Sequence, residues 1–167
     1  KVDKQLVDLI VEQQKPVLFV VNKWDLYAGD VERSEWAQYL RDTFRTMLWA
    51  PIAFVTAKTG RNVKAAIDTT QRLFRQSQAR GPTAALNTII HAATQATRPP
   101  ADRRGRPVRI YFATQVDTAP PTIVLSTSSA ESLTAPYKRY LLSSLRKNAP
   151  FTEVPIKIIV RNHKARE

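Results

Sequence analysis

The sequence contains no cysteine, only two histidines and only four glycines among its 167 residues. Without cysteine it cannot form a disulfide, a thiolate nucleophile or a cysteine-ligated zinc site. The two histidines, His91 and His163, are too few for most metal sites, so we expect no bound metal. No apolar run approaches the roughly 18 residues that cross a bilayer, and no signal peptide is visible. We therefore expect a soluble, cytoplasmic protein without a membrane partner.

Positive charge is what the sequence has in excess, with a formal net charge of +12. Residues 81–167 contain 13 Lys and Arg against 5 Asp and Glu, whereas residues 1–80 contain 13 against 9. A basic surface attracts polyanions over about a Debye length, so nucleic acid is the first partner to consider. The charge alone equally fits a surface that is simply very soluble.

Hydrophobic periodicity and turn residues predict two domains, with the boundary at Gly81-Pro82. Residues 1–80 follow the order helix, strand, helix, strand, helix, which is typical of a right-handed parallel α/β unit. The expected elements are a helix at 3–14, a strand at 17–21, a helix at 31–47 after a Gly29-Asp30 turn, a strand at 52–55, and a helix capped by Asn62.

Residues 81–167 follow the order α-β-β-α-β, which predicts a small two-layer α+β domain. The expected elements are a helix capped by Thr83 that reaches about Gln95, strands at 108–114 and 122–126, a helix from Pro136 to Asn148, and a strand at 156–160. The loop between the first helix and the first strand is rich in proline and arginine, and we expect it to be mobile.

Polar residues directly follow both strands of the first domain. Val17–Val21 is apolar throughout and leads into Asn22-Lys23-Trp24-Asp25, and the second strand leads into Thr56-Ala57-Lys58. A strand that is apolar on both faces is typical of a parallel sheet covered by helices. Ligands of such sheets bind beyond the carboxyl ends of the strands, so we expect both loops to line one binding site.

An Asn-Lys-x-Asp motif beside a Ser/Thr-Ala-Lys turn resembles the guanine-binding loops of translation-factor-like P-loop GTPases. An ionised Asp25 can accept both N1–H and the exocyclic amine of guanine, a pair of donors that adenine lacks. Asn22 would brace the loop and reach the base edge. The stems of Lys23 and Lys58 would cover the two ring faces, and the backbone N–H of Ala57 would donate to the guanine carbonyl oxygen. Taken singly, these residues also fit an Asx turn and a solvated loop.

The phosphate loop that GTP hydrolysis needs is not found in this sequence. Hydrolysis requires a G-x-x-x-x-G-K-[ST] loop, a Thr for Mg²⁺ and an Asp-x-x-Gly segment near the γ-phosphate, and the four glycines do not fit the first of these patterns. We interpret residues 1–80 as the C-terminal half of a G domain. The chain should therefore bind GTP or GDP weakly, have no catalytic residue and leave Mg²⁺ to the complete G domain. A half-sheet also has an uncovered edge, so we expect self-association.

The second domain resembles the KH-like domain of the Der (EngA) family of bacterial GTPases, in which it follows two tandem G domains. The Era family, by contrast, has a KH domain with a G-x-x-G loop, which this sequence lacks. The matching segments are Leu86-Asn87, Pro99-Pro100, Arg109–Gln115, Pro120-Pro121-Thr122, Tyr137–Leu141, Leu145-Arg146, Phe151, Pro155–Ile158 and Arg161. Trp24 is also typical of that family's second G domain, and Thr56 replaces the usual Ser.

The resemblance implies the α/β half of a P-loop GTPase G domain at residues 1–80, followed by an α+β KH-like domain at 81–167. It also implies a GTP-hydrolysing ribosome-assembly factor that acts on the large ribosomal subunit. The implied partners are the large subunit, its rRNA and the upstream G domain.

Two uses of the KH-like domain stay open. Its basic side chains could follow rRNA phosphates, or the domain could mainly dock against the family's G domains. The candidates for phosphate contacts are Arg98, Arg103, Arg104, Arg106, Lys138, Arg139 and Lys147. For the whole chain, the alternatives are a stand-alone RNA-binding module that uses no nucleotide and a dinucleotide-dependent enzyme, whose glycine fingerprint is lacking.

Overall fold

The computed structural model describes residues 2–27 and 32–163, which form two compact units. Unit 1 comprises the described residues up to Ser77 together with Glu153–Pro155, and unit 2 comprises the remainder from Gln78. The predicted Gly29-Asp30 turn and the predicted helix start at Val31 lie outside the described residues. None of the helices in the described ranges is long and apolar enough to cross a membrane.

Unit 1 has the predicted order of helices and strands. Its elements are α1 (Val2–Glu12), β1 (Phe19–Val21), α2 (Arg33–Thr43), β2 (Ile52–Phe54) and α3 (Val63–Gln78), with 3₁₀ turns at Trp24–Leu26 and Arg45–Met47. The two strands are parallel, and Phe19 lies opposite Ile52 and Val21 opposite Phe54. Glu153 completes the unit, because its carboxylate pairs with Arg72 of α3 at 3.1 Å.

The strands of unit 1 are less buried than their apolar sequence predicts. Val20, at the centre of β1, is 51% exposed. In the described part of the chain β1 pairs with β2 alone, so the sheet is too narrow to be covered on both faces. Large apolar side chains on the neighbouring helices are exposed as well: Leu6, Leu9, Ile67 and Phe74.

Two predicted helix caps are wrong. Asn62 has a φ of 61°, and an N-cap residue needs an extended backbone instead. Its side-chain amide donates to the carbonyl of Phe54 at 3.0 Å, which fastens the start of α3 to β2. Thr83 is the first helical residue of its helix, and Pro82 takes the N-cap position without a side-chain hydrogen bond.

Unit 2 has the predicted α-β-β-α-β order. Its elements are α4 (Thr83–Ala96), β3 (Ile110–Asp117), β4 (Thr122–Thr127), α5 (Ala135–Asn148) and β5 (Lys157–Asn162). The strands form one sheet in the order β3-β4-β5, with β3 antiparallel and β5 parallel to β4. Pro136 lies in the first turn of α5 as predicted, and Thr134 caps that helix by accepting from the N–H of Tyr137.

The core of unit 2 lies between the sheet and its two helices. All six residues of the central strand β4 are buried. Leu125 of that strand, Leu141 and Leu145 of α5, and Phe151 after α5 are fully inaccessible to solvent. Burying a side chain of this size stabilises the fold by roughly 1.5–3 kcal/mol, so this cluster supplies much of the driving force for folding.

Two side-chain amides fasten the edge strand β3 to the rest of unit 2. Asn87 of α4 accepts from the N–H of Ala113 at 2.8 Å and donates to its carbonyl at 2.9 Å, as a neighbouring strand would. Gln115 accepts from the N–H of Gly81 at 2.8 Å and donates to the carbonyl of Ala79 at 2.9 Å. The contacts of Asn87 satisfy backbone groups of Ala113 that a strand edge otherwise leaves unpaired, and those of Gln115 join β3 to the segment before α4.

Candidate functional site

The two polar loops predicted to form one site lie side by side beyond the carboxyl ends of β1 and β2. They enclose a groove of about 320 Å³, near the lower end of the range of small-molecule sites, about 300–1,000 Å³. The residues that line it are Asn22, Lys23, Asp25, Leu26, Thr56, Ala57 and Lys58. Six of them were predicted from the sequence. Leu26 was missed, although an apolar residue directly after Asp25 was a usable signal.

Asn22 joins the two loops. Its Oδ1 accepts from the N–H of Lys23 at 2.8 Å and from the N–H of Ala57, in the other loop, at 3.1 Å. Backbone hydrogen bonds add to this link, because Val55 donates to the carbonyl of Val21 and Trp24 donates to that of Val55. The predicted bracing role of Asn22 therefore matches its contacts.

The backbone of the first loop is held in a strained form. Lys23 has φ 60° and ψ 35°, in the left-handed region that residues with a side chain seldom adopt. The hydrogen bond from its N–H to Asn22 supports this conformation. The turn changes the chain direction at the end of β1 and places Lys23 and Asp25 along the groove.

One predicted base contact has a competing partner. The N–H of Ala57 was expected to donate to a guanine carbonyl oxygen, but here it donates to Asn22. A base carbonyl would have to share this N–H or displace the amide oxygen of Asn22. The side chain of Ala57 is exposed and small, so it does not block the approach of a flat ring.

Trp24 belongs to the loop predicted to bind the guanine nucleotide, but its side chain lies outside the lining of the groove. Its side chain is 4% exposed and packs edge-on against Phe54 of β2, with ring centroids 4.6 Å apart. The indole turns inward because a large apolar ring at a strand end gains more from burial than from a place in water. Trp24 thus anchors the loop that carries Asp25.

Asp25 presents an exposed carboxylate to the groove. Within the described ranges no side chain forms a hydrogen bond or ion pair with it. Lys23 and Lys58, from the two different loops, are exposed beside it. An unoccupied carboxylate with two acceptor oxygens suits a ligand that offers two neighbouring N–H donors.

The arginine-rich loop of unit 2 is an organised turn, although the sequence predicts a mobile segment. The carboxylate of Asp102 accepts from the N–H groups of Arg104 at 2.8 Å and Arg106 at 2.9 Å. It also accepts from Nε and Nη2 of Arg106, at 3.2 and 3.0 Å. The backbone hydrogen bond from Arg106 is the largest of the effects that lower the pKa of Asp102. The loop therefore has one carboxylate at its centre.

The seven basic residues predicted to bind RNA are divided between that loop and α5. Six are exposed and Lys138 is half-buried. Of the seven, Arg106 lines a cavity of about 540 Å³ beside the sheet. The other residues that line this cavity are Asp102, Pro107, Arg109, Tyr111 and Ser128. Arg109 and Tyr111 were not among the predicted RNA-binding residues.

Two further titratable groups have structural roles. The hydroxyl of Tyr137 donates to the carbonyl of Thr97 at 2.8 Å, and burial raises the pKa of Tyr137 to about 12. Arg146 donates to the carbonyl of Thr152 at 2.8 Å, and burial lowers the pKa of its guanidinium to about 10. Over residues 2–27 and 32–163, no three His, Asp or Glu side chains are grouped so that they could hold a metal ion.

Comparison with known proteins assigns unit 2 to a class of domain. Residues 80–161 match the family model described as the KH-domain-like, C-terminal domain of EngA bacterial GTPase enzymes. The chain is 48% identical over its full length to the GTPase Der of Rhodopirellula baltica. It is 36% identical to the GTPase Der of Geobacter metallireducens and 32% to that of Acaryochloris marina, over 99% of its length in both cases.

The chain belongs to the Der (EngA) family and matches the C-terminal region of its members. This confirms the family resemblance inferred from the sequence. The chain spans 37% of the length of the Rhodopirellula relative and 38% of the Geobacter relative.

Proposed function

We propose that the chain is the C-terminal part of a GTP-binding and GTP-hydrolysing ribosome-biogenesis factor that acts in the cytoplasm on the large ribosomal subunit. In this proposal unit 1 is the C-terminal half of a G domain, and its groove binds the guanine base. The observation that carries it is the placement of Asp25 and the Ala57-Lys58 turn in one groove at the ends of two parallel strands. Membership of a family whose relatives are named GTPase supports it.

Base selection would depend on Asp25. Its carboxylate would accept N1–H and the exocyclic amine of guanine together, and both bonds would be charge-assisted. Adenine has no such pair, so its binding would leave the carboxylate desolvated without donors, at a cost of roughly 1–3 kcal/mol or more. Lys23 and Lys58 would pack their methylene stems against the ring while their ammonium groups remain in water. Asn22 would keep the two loops at a fixed separation.

No step of hydrolysis is assigned to residues of this chain. The groove supplies contacts to the base, whereas the phosphates and Mg²⁺ of GTP would be bound by the complete G domain. The upstream G domain is therefore a proposed partner. We also propose that the exposed apolar side chains of unit 1 support self-association, and a cooperatively melting monomer in solution would contradict this.

The base-binding proposal can be tested by NMR titration of the ¹⁵N-labelled chain with guanosine and adenosine. Guanosine should shift the amide signals of Lys23, Ala57 and Lys58, and adenosine should not. Asp25→Ala should abolish the guanosine shifts. Asp68→Ala is a matched control, because Asp68 is an exposed acid on α3 that pairs with Lys64, away from the groove lining. Equal shifts with both nucleosides would argue against a guanine site.

For unit 2 we propose that its basic surface contacts rRNA. Six exposed cationic side chains in the loop and on α5 support this, as does the net charge of +12. Each neutralised phosphate of a single strand should contribute about −0.7 to the slope of log affinity against log salt. Filter binding across a salt series measures that slope. Binding that is absent or insensitive to salt would favour docking against G domains instead.

A further inference from the structure

The sheet of unit 2 has a packed face and an open face. Ala113 of β3 lies opposite Leu125 of β4, and both are fully buried on the packed face. Successive residues of a strand point to opposite faces. Phe112 and Val116 therefore belong to the open face, and they are 44% and 51% exposed. Neighbouring large apolar side chains that are exposed on one face of a domain indicate a binding surface.

A second aromatic residue joins Phe112 at one corner of this face. The ladder between β3 and β4 shifts register between Ile110 and Phe112, and this irregularity contains Tyr111, which is 49% exposed. The ring of His163, just after β5, lies 4.7 Å from the ring of Tyr111 and 6.0 Å from that of Phe112.

One contact fixes the imidazole at this corner, and another fixes the backbone that carries it. Nδ1 of His163 lies 3.1 Å from Oγ of Ser126, and the backbone N–H of His163 donates to the carbonyl of Thr127 at 2.7 Å. His163 is nevertheless exposed. Tyr111, Phe112 and His163 thus form an aromatic corner that is preorganised and open to solvent.

Positive charge borders the aromatic corner on two sides. Phe112 is in register with Ser126, and Ser126 with Arg161 of β5, so the three side chains lie on the same side of the sheet. Phe112 and Arg161 are exposed there, and Ser126 between them is buried. On the other side, Arg109 and Tyr111 line the cavity of about 540 Å³. Neither arginine has an acidic partner within the described ranges, in contrast to Arg106, which pairs with Asp102 at 3.0 Å.

We propose that the aromatic corner, with Arg109 and Arg161, binds single-stranded RNA. One base stacks on Tyr111, a second packs against Phe112, and Arg109 and Arg161 contact the phosphates. The charge favours a polyanion over an apolar protein surface. Exposed rings favour unpaired bases, because bases in a duplex have their faces covered by their neighbours. This inference rests on the proposed RNA binding and adds a site for unpaired bases at the sheet.

The test compares a short mixed-sequence RNA with the duplex formed from it, using fluorescence anisotropy with the full chain. Tyr111→Ala should weaken binding of the single strand about tenfold, since stacking on one aromatic contributes roughly 1–3 kcal/mol. Duplex affinity and the salt slope should stay unchanged, because the phenol is uncharged. Arg109→Gln should instead reduce the salt slope by about 0.7.

Two further variants make the result interpretable. Tyr111→Trp should retain or improve single-strand binding, since a larger ring stacks at least as well. Tyr39→Ala is the matched control, because Tyr39 is an aromatic of unit 1 that is 60% exposed. Melting curves of all variants establish that each is folded, and truncating the half-exposed Tyr111 should change them little.

The outcomes separate this inference from the broader proposal. Loss of single-strand affinity in Tyr111→Ala, with recovery in Tyr111→Trp, supports the aromatic corner. If the unmodified chain binds RNA but Tyr111→Ala behaves like Tyr39→Ala, the aromatic corner is wrong while RNA binding stands. If the unmodified chain binds neither RNA, both are wrong.

Discussion

Asn87 provides the sharpest test of how unit 2 is held together. Its side chain pairs with the N–H and carbonyl of Ala113, a residue with no exposed surface. Asn87→Ala would orphan both backbone groups, at about 1–3 kcal/mol each. The better helix propensity of alanine returns at most about 0.7 kcal/mol. We therefore expect unit 2 to lose about 1–5 kcal/mol of stability, a large part of the roughly 5–15 kcal/mol of a typical domain.

Thermal unfolding and amide hydrogen exchange would measure this loss. For a domain of about 60–100 residues, each kcal/mol lowers Tm by roughly 4–8 °C, so a loss of about 3 kcal/mol, in the middle of the expected range, should lower Tm by on the order of 10–25 °C. The amide of Ala113 should also exchange faster. Thr88→Ala is the control, because Thr88 is an exposed neighbour on α4 whose hydroxyl donates to the carbonyl of Ala84 in the same helix. Similar Tm values and equal protection of Ala113 in both variants would refute the reasoning, since water would then be satisfying the freed groups.

Three further results are expected. Asp25→Asn should change the preference of the groove from guanosine to xanthosine, because the carboxamide can donate to the C2 carbonyl of xanthine and accept from its N1–H. An unchanged preference in competition titrations would contradict this. Asn22→Ala should lower the free energy of opening the two loops by about 1–2 kcal/mol, because two hydrogen bonds are lost. The amides of Lys23 and Ala57 should then exchange faster with solvent. Unaltered protection would show that the loops stay together without the Asn22 side chain. Asp102 has a lowered pKa, so its hold on the loop is complete above its ordinary value of 3.8 and is lost as acid protonates it. The loop amides should shift in NMR spectra below that pH, and not in Asp102→Asn.

The order of elements in both units followed from the sequence because hydrophobic period is a local property. The strand at 17–21 was predicted two residues too long at its start, and β3 runs to Asp117 rather than 114. The ends of a strand depend on which of its backbone groups form hydrogen bonds with a neighbouring strand, and that neighbour can be distant in sequence. The wrong cap at Asn62 has the same origin, because its amide bonds to Phe54 of a neighbouring strand.

The residues of the groove were predictable because strand ends of a parallel sheet meet at one edge, whatever the details of packing. Guanine binding there stays a prediction. The inward turn of Trp24 and the capture of the Ala57 N–H by Asn22 were not predictable, since each is a competition between alternative partners. The spacing of motifs predicts which groups lie near each other, but not which of several nearby acceptors a given N–H bonds to.

The pattern of apolar and polar residues predicted two domains and the order of their elements, and short motifs indicated the family to which the chain belongs. Those features depend on interactions within one helix or strand, or on motifs a few residues long. The aromatic corner of Tyr111, Phe112 and His163 could be recognised only in three dimensions. His163 is some fifty residues from the other two, and parallel pairing of β5 with β4 brings it beside them. The pairing of strands that are distant in sequence determines which side chains become neighbours, and the local sequence pattern does not predict that pairing.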